Sequence, residues 1–249
     1  MKRPRGGLPV RAIVQVIRSD WALRYRLAEQ PSRVTVSGIQ LDLGGDWATP
    51  AIREAVYEGW YEGAERDILA RTLRRGDRYL ELGAGIGFIA TCACQLVGDE
   101  NVTAYEANPA LVAVARATAG HNGFAPTIVN AALGDVAGDA YLYVADDFWA
   151  STLVPTEVRS TVRVPVKSFH AELERVRPTY LMIDIEGGEV DLLSGNTLPE
   201  YVRAVCVEAH PNVVGVARVQ DMLVKLIKDG FAIDLQVSHH GVAYLERPD

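Results

Sequence analysis

No apolar run in the chain approaches the about 20 residues that a membrane-spanning helix needs, so no span is expected. The N-terminus is basic, but no apolar segment follows it, and a secretory signal is not expected either. Cysteine is scarce. Cys92, Cys94 and Cys206 are too few for a disulfide framework and lack metal-ligand spacing, which fits a reducing cytoplasm. There is no internal repeat and no low-complexity linker. These absences leave a globular protein of 249 residues, 49% hydrophobic, with a core of ordinary size.

Charge is unevenly spread. Residues 1–30 hold seven Lys or Arg against Asp20 and Glu29, a net of +5, which leaves −12 on the rest of a chain whose total is −7. The basic segment is read as solvated rather than as a contact for nucleic acid or membrane. The acidic remainder argues against a phosphate-rich substrate.

Residues 12–28 have an amphipathic helical pattern and offer a contact surface for a homodimer. Arg33 to Leu43 alternates as a hairpin turning at Ser37-Gly38. Pro50 to Leu73 reads as helical. Strands and helices then alternate: strands at 78–82, 102–105, 127–130, 180–185 and 202–207, helices at 86–96, 109–122 and 214–228. Residues 135–168 read as an insertion around the loop 146–159. Residues 231–237 and 241–245 read as a closing antiparallel hairpin across Ser238-His239-His240. Such alternation predicts an α/β fold, a mostly parallel sheet covered on both faces. The expected organisation is an N-terminal extension over residues 1–50 and a catalytic domain over 51–249.

The most informative stretch is Tyr79-Leu80-Glu81-Leu82-Gly83-Ala84-Gly85-Ile86-Gly87. A short apolar strand turns into a helix with nothing bulky at the turn, so a small molecule can lie against bare backbone. The spacing Gly83-x-Gly85-x-Gly87 is one residue shorter than the dinucleotide fingerprint G-x-G-x-x-G. Glu81 beside the turn would repel a diphosphate and suit a cation. Glu106 ends the next strand, ahead of Ala107-Asn108-Pro109, where a carboxylate can accept both hydroxyls of a ribose. Together these describe a nucleoside with a cationic amino-acid tail, S-adenosylmethionine, leaving S-adenosylhomocysteine as product. Asn130 and Ala131, ending the third strand, are placed at the adenine, and Ser151 in the long loop is placed near the cofactor. Other readings exist: such a turn can serve close packing alone, and Glu106 can simply help to start a helix.

A second acidic cluster, Asp184-Ile185-Glu186-Gly187-Gly188-Glu189, follows another apolar strand. Asp184 continues an apolar run, where an unpaired charge is costly, and this points to function. Asp184, Glu186 and His210 are the candidates for a catalytic base. They are chemically able to hold a divalent ion, but as a set they are incomplete, and no metal is expected. His121, His239 and His240 are read as solvated. Phe148 and Trp149 in the long loop suggest a lid, and Tyr61 and Glu62 are candidates for the entrance.

With the glycine turn, Glu106, the stretch Asn130-Ala-Ala-Leu-Gly-Asp135 and the block Asp184-x-Glu186-Gly-x-Glu189 in view, the chain resembles the FkbM family of S-adenosylmethionine-dependent methyltransferases over roughly residues 55–210. The resemblance implies a class I methyltransferase (Rossmann-like), doubly wound seven-stranded sheet of order 3-2-1-4-5-7-6 with the last strand antiparallel. It also implies O-methylation of a hydroxyl on a sugar, natural product or other small molecule, hence a small-molecule or glycan acceptor. Glu81 stands where the family often has Asp, and Met182 where it often has Lys. Three competing readings stay open. One is a nicotinamide-dependent oxidoreductase, which the glycine spacing disfavours. Another is a binding module that has lost catalysis, which the intact carboxylates disfavour. The third is a nucleic-acid methyltransferase clamping with the basic N-terminus; no N-P-P-[FY] tetrapeptide follows the fourth strand to support it.

Overall fold

The structure is a computed structural model that describes residues 21–145, 147–155 and 160–248. Residues 21–29 are helical, and the remainder of the expected N-terminal helix lies outside the described residues. Strands β1 (Arg33–Val36) and β2 (Ile39–Asp42) pair antiparallel through Ser37 and Gly38, both with positive φ (49° and 83°), as a two-residue hairpin turn requires. Their alternation buries Val34, Val36, Ile39 and Leu41 in the same core as the helices that follow.

The helical stretch expected from Pro50 to Leu73 is two helices. Thr49 caps α1 (Pro50–Glu58) by accepting the Ile52 N–H, with Pro50 in the first turn. Gly59 ends it in the left-handed region, φ 82°, and α2 (Gly63–Thr72) starts after Glu62. Periodicity runs through this break, so the hydrophobic pattern alone does not reveal it.

The alternating units come next: β3 (Tyr79–Leu82), α3 (Phe88–Val97), β4 (Val102–Glu106), α4 (Pro109–His121) and β5 (Thr127–Asn130). The insertion is a small sheet of its own. It consists of β6 (Ala132–Gly134), β7 (Gly138–Val144) and β8 (Ser160–Ser168), in the order β6-β8-β7. The chain closes with α5 (Phe169–Val176), β9 (Tyr180–Ile183), α6 (Gly188–Gly195), β10 (Ala204–Glu208), α7 (Pro211–Val214), α8 (Val216–Lys228), β11 (Ala232–Ile233) and β12 (Val242–Glu246). The closing hairpin is shorter than expected on its first arm, because residues 234–241 form a turn rather than strand.

The main sheet runs β11-β12-β10-β9-β3-β4-β5. Counting its seven strands along the chain, that order is 3-2-1-4-5-7-6, and β12 is antiparallel to both neighbours. Two apolar cores cover its faces. One holds Tyr79, Tyr180 and Tyr244 in a stacked row, with the hairpin, α1, α3 and α4. The other holds Leu80, Leu82, Leu181 and Ile183 against α5, α6 and α8. Cys92, Cys94 and Cys206 are buried free thiols. No helix among the described residues is long and apolar enough to cross a membrane.

Register places the site. Leu82 pairs with Tyr105 on one side and Ile183 on the other, and Ile183 pairs with Val207. The next residue on each strand is therefore Glu106, Gly83, Asp184 and Glu208. Four neighbouring strand ends thus put three carboxylates and one glycine in a row, about 4.8 Å apart from strand to strand. This is the carboxyl edge of the sheet at the point where the winding reverses, where open α/β sheets bind ligands.

Candidate active site

A cavity of about 920 Å³ opens above that row. Its floor is the glycine turn. The Gly83 and Ala84 N–H groups both donate to the Tyr105 carbonyl, which binds the turn to β4. A β-carbon on Gly83 would lie 1.7 Å from the Asp184 carbonyl oxygen, so only glycine lets the two strand ends meet. Gly87 is tight for another reason: its β-carbon would lie 2.8 Å from the Ala115 backbone, at the contact of α3 with α4. Gly85 faces the cavity. Of the expected cofactor residues, Gly83, Gly85, Glu106, Ala107, Asn108, Ala131, Ser151 and Asp184 line the cavity, whereas Glu81, Ala84, Gly87 and Asn130 do not.

Two of these residues have other partners in the structure. Glu81 is 3% exposed, points into the core face of β3 and accepts the Tyr79 hydroxyl at 3.0 Å. Burial raises its carboxyl to about 8. The Tyr79 hydroxyl, two residues earlier on the same face of β3, takes up its carboxylate inside the core. Asn130 spends both amide hydrogens on the Glu106 and Ala107 carbonyls, at 2.9 and 3.0 Å. It braces the loop after β4 and leaves that side of the cavity to Ala131, Leu133 and Leu142.

Glu106 is 8% exposed. One carboxylate oxygen accepts the Gly85 N–H at 2.8 Å and the other the Asn108 N–H at 2.7 Å. Each oxygen keeps a further lone pair for a ligand hydroxyl. Burial raises the group to about 7, against the pull of those backbone donors. Helix α4 starts without its help, because the Asn108 side chain caps it by accepting the Ala110 N–H.

At the acidic end, the Asp184 and Glu186 side chains are 28% and 25% exposed, and Asp184 Oδ1 is buried without a hydrogen-bond partner. Burial, with the Glu208 and Glu186 charges, raises Asp184 well above the usual carboxylate range. Glu186 adopts a left-handed φ of 51° and is also raised by burial. Glu189 is fully buried and structural. It accepts the Gly187 N–H at 2.8 Å, and its other oxygen lies 3.1 Å from both the His210 N–H and His210 Nδ1. His210 does not line the cavity; it stands behind the carboxylates, with Nε2 facing Glu186 at 3.4 Å, Asp184 at 3.6 Å and Glu208 at 4.0 Å. Burial lowers its pKa, but the Glu189, Glu186 and Glu208 carboxylates outweigh burial and raise it.

The roof comes from the α1–α2 break and the long loop. Tyr61 and Glu62 line the cavity beside Gly85, 3.5 and 3.6 Å from where its β-carbon would be. The Tyr61 hydroxyl and the Glu62 carboxyl are buried beside each other, and burial raises both groups. Trp149 stacks on Tyr61 with centroids 6.3 Å apart, and Phe148 packs edge-on to Trp47 at 5.9 Å. Ser151 accepts the Ala145 N–H, and Thr152 donates to the Glu186 carbonyl, which fastens the loop to the acidic block. Residues 146 and 156–159 of this loop lie outside the described residues.

Sequence reasoning missed Glu208, a strand-end residue level with Asp184, and placed His239 and His240 in solvent. Both histidines border the cavity. Antiparallel pairing explains it: Val242, opening β12, sits opposite Glu208, so the turn before it lies at the carboxyl edge of the sheet. Among the described residues, no Lys or Arg forms an ion pair with Glu62, Glu65, Glu106, Asp184, Glu186 or Glu208. Carboxylates outnumber cations along the cavity, where Arg66 is paired with Asp67, and this favours a cationic ligand.

Residues 81–232 match the sequence profile described as Methyltransferase FkbM domain, more than half of the chain. No curated protein matches. Among solved structures, the chain is similar to magnesium protoporphyrin IX methyltransferase from Synechocystis PCC 6803, at 12% identity and a TM-score of 0.47, covering 98% of this chain and 100% of that one. It is similar also to precorrin-6y C5,15-methyltransferase from Geobacter metallireducens, at 14% identity and a TM-score of 0.45, covering 74% and 85%.

Proposed function

This chain belongs to the FkbM family of methyltransferases, and we propose that it moves the methyl group of its cofactor, S-adenosylmethionine, to a hydroxyl oxygen of a sugar or other small molecule. The observation that carries this reading is the row Glu106, Gly83, Asp184 on adjacent strand ends. Glu106 would hold the ribose diol, Gly83 and Gly85 with Tyr61 and Glu62 would hold the amino-acid tail, and Asp184 and Glu186 would stand at the methyl end. Tyr61 and Glu62 in the roof would supply a polar partner for the α-ammonium of that tail.

A hydroxyl is a weak nucleophile and needs a proton acceptor as its oxygen attacks. Asp184 and Glu186 provide carboxylates where the acceptor enters, and their raised pKa values bring them closer to the working pH of a base. Alignment of oxygen, methyl carbon and sulfur contributes much of the remaining rate. The acidic walls oppose a polyanionic acceptor, so a nucleic acid fits this cavity poorly.

The test is a panel of sugar, polyketide and peptide acceptors with a ¹³C-methyl donor, read by NMR. A methyl resonance in the methoxy range is expected, and a methyl on nitrogen or carbon would overturn the oxygen assignment. Asp184→Asn is expected to lower kcat at least 100-fold while S-adenosylhomocysteine binding stays within threefold. Unchanged turnover in that variant would remove Asp184 from the reaction.

A further inference from the structure

Asp184, Glu208 and His210 each offer one ligand atom, and the three atoms lie within 4.8 Å of one another. We infer that these three side chains form a divalent-cation site of carboxylate and imidazole ligands, which binds the acceptor through its oxygens. Glu208 is the ligand that Asp184, Glu186 and His210 lacked as a set.

Three observations support the site. The distances from His210 Nε2 to Glu186, Asp184 and Glu208 are 3.4, 3.6 and 4.0 Å. These are long for hydrogen bonds. Ligands about 2.1 Å from a metal sit about 3.0–3.4 Å from each other, so Asp184 and Glu208 would close in on Nε2 by only a few tenths of an ångström to share one ion with it. The imidazole is also held from behind. Glu189, fully buried, lies 3.1 Å from Nδ1 and accepts the His210 backbone N–H. A carboxylate on Nδ1 leaves the Nε2 lone pair free and aimed at the cluster, the usual support of a metal-binding histidine. Finally, Asp184 Oδ1 is buried, unpartnered and turned toward Nε2.

Charge leads to the same conclusion. Glu62, Glu65, Glu106, Asp184, Glu186 and Glu208 line one cavity. Adenosylmethionine brings a sulfonium, an ammonium and a carboxylate, a net of about one positive charge, and a divalent ion at the acidic end would favour the ionised form of the carboxyls that hold it. Mixed carboxylate and imidazole ligands suit Mn²⁺ and its first-row neighbours better than ions that prefer thiolate.

The site deepens the O-methyl reading and rests on it for its chemistry. Three protein ligands leave positions for two acceptor oxygens, so the acceptor class is a chelating one: a 1,2-diol, a hydroxy acid or a hydroxy ketone. Bound to the ion, the acceptor hydroxyl is more acidic. Its proton passes to Glu186, its oxygen pair forms the new C–O bond, and the S–CH₃ bond breaks with its electrons kept by sulfur. The products are the methyl ether, neutral S-adenosylhomocysteine and protonated Glu186, which returns its proton to water.

The experiment is Mn²⁺ titration of the metal-stripped full chain, followed by electron paramagnetic resonance with detection of ¹⁴N coupling. One site is expected, with a ¹⁴N coupling that His210→Ala abolishes. His210→Ala and Glu208→Gln should each weaken Mn²⁺ at least tenfold, and Asp139→Asn, an exposed ion-pair residue outside the cavity lining, should leave it unchanged. A wild-type chain that binds no Mn²⁺ at millimolar concentration, or binds it without ¹⁴N coupling, overturns the site, and this readout does not depend on any variant folding. Calorimetry with S-adenosylhomocysteine on the same sample separates the two readings. Normal cofactor binding without Mn²⁺ binding sinks the cation site alone; loss of cofactor binding sinks the methyltransferase reading of the cavity.

Discussion

Glu106 and Glu81 are both buried within a few residues of one glycine turn, yet they meet different partners. Glu106 faces the cavity with each oxygen on one backbone N–H, and Glu81 faces the core with a tyrosine hydroxyl. Both carboxyls are raised, to about 7 and about 8, chiefly by burial. A raised carboxyl contributes stability that is full below its ordinary value and lost as pH rises through the raised one. The cofactor-free protein should therefore lose stability between about pH 5 and pH 8. Moving one carboxyl from 4.5 to about 7 corresponds to about 3 kcal/mol. Glu106→Gln should flatten part of that slope in denaturant titrations at several pH values. A wild-type stability that rises with pH over this window would contradict the burial argument.

At the scale of elements, two strand ends and a helix break make the site. Gly83 lets β3 and β9 touch, and Gly85 leaves room for a ligand under Tyr61. Their alanine variants should therefore fail differently. Gly83→Ala must push the Asp184 backbone away and should cost at least about 3 kcal/mol, lowering the melting temperature sharply. Gly85→Ala, with φ 51° and only ordinary contacts around a β-carbon, should cost about 1–2 kcal/mol and lose cofactor binding. Thermal melts with and without S-adenosylhomocysteine check both, and a Gly83→Ala protein that melts like wild type would contradict the strand contact. The glycine spacing and the acid after each strand were legible in the sequence because they sit at fixed offsets from strong apolar runs. The helix break was not. Gly59 interrupts a pattern whose periodicity continues, so Tyr61 and Glu62 could be read as candidates for the entrance but not as the roof that the break makes of them. The partners of Asn130 and Glu81 were illegible for a related reason: sequence gives the level of a side chain along a strand, while its partner depends on which carbonyls and hydroxyls stand nearby.

For the whole molecule, the reversal of strand order brings residues about a hundred positions apart into one row. Glu208 joins that row only through the pairing of β10 with β9, and the two turn histidines reach it only through the antiparallel β12. Neither pairing is written in local pattern, which is why the acidic site was only half visible in the sequence. The remaining charges follow the same division: a basic N-terminal segment and an acidic body whose carboxylates gather at one edge of the sheet. The account predicts that this edge, and no other part of the surface, holds the cofactor. A crystal structure with S-adenosylhomocysteine tests it most directly. The ribose hydroxyls should lie within hydrogen-bond distance of Glu106, with the sulfur between Gly83 and Asp184; a product molecule bound elsewhere, or a ribose that leaves Glu106 untouched, would contradict it.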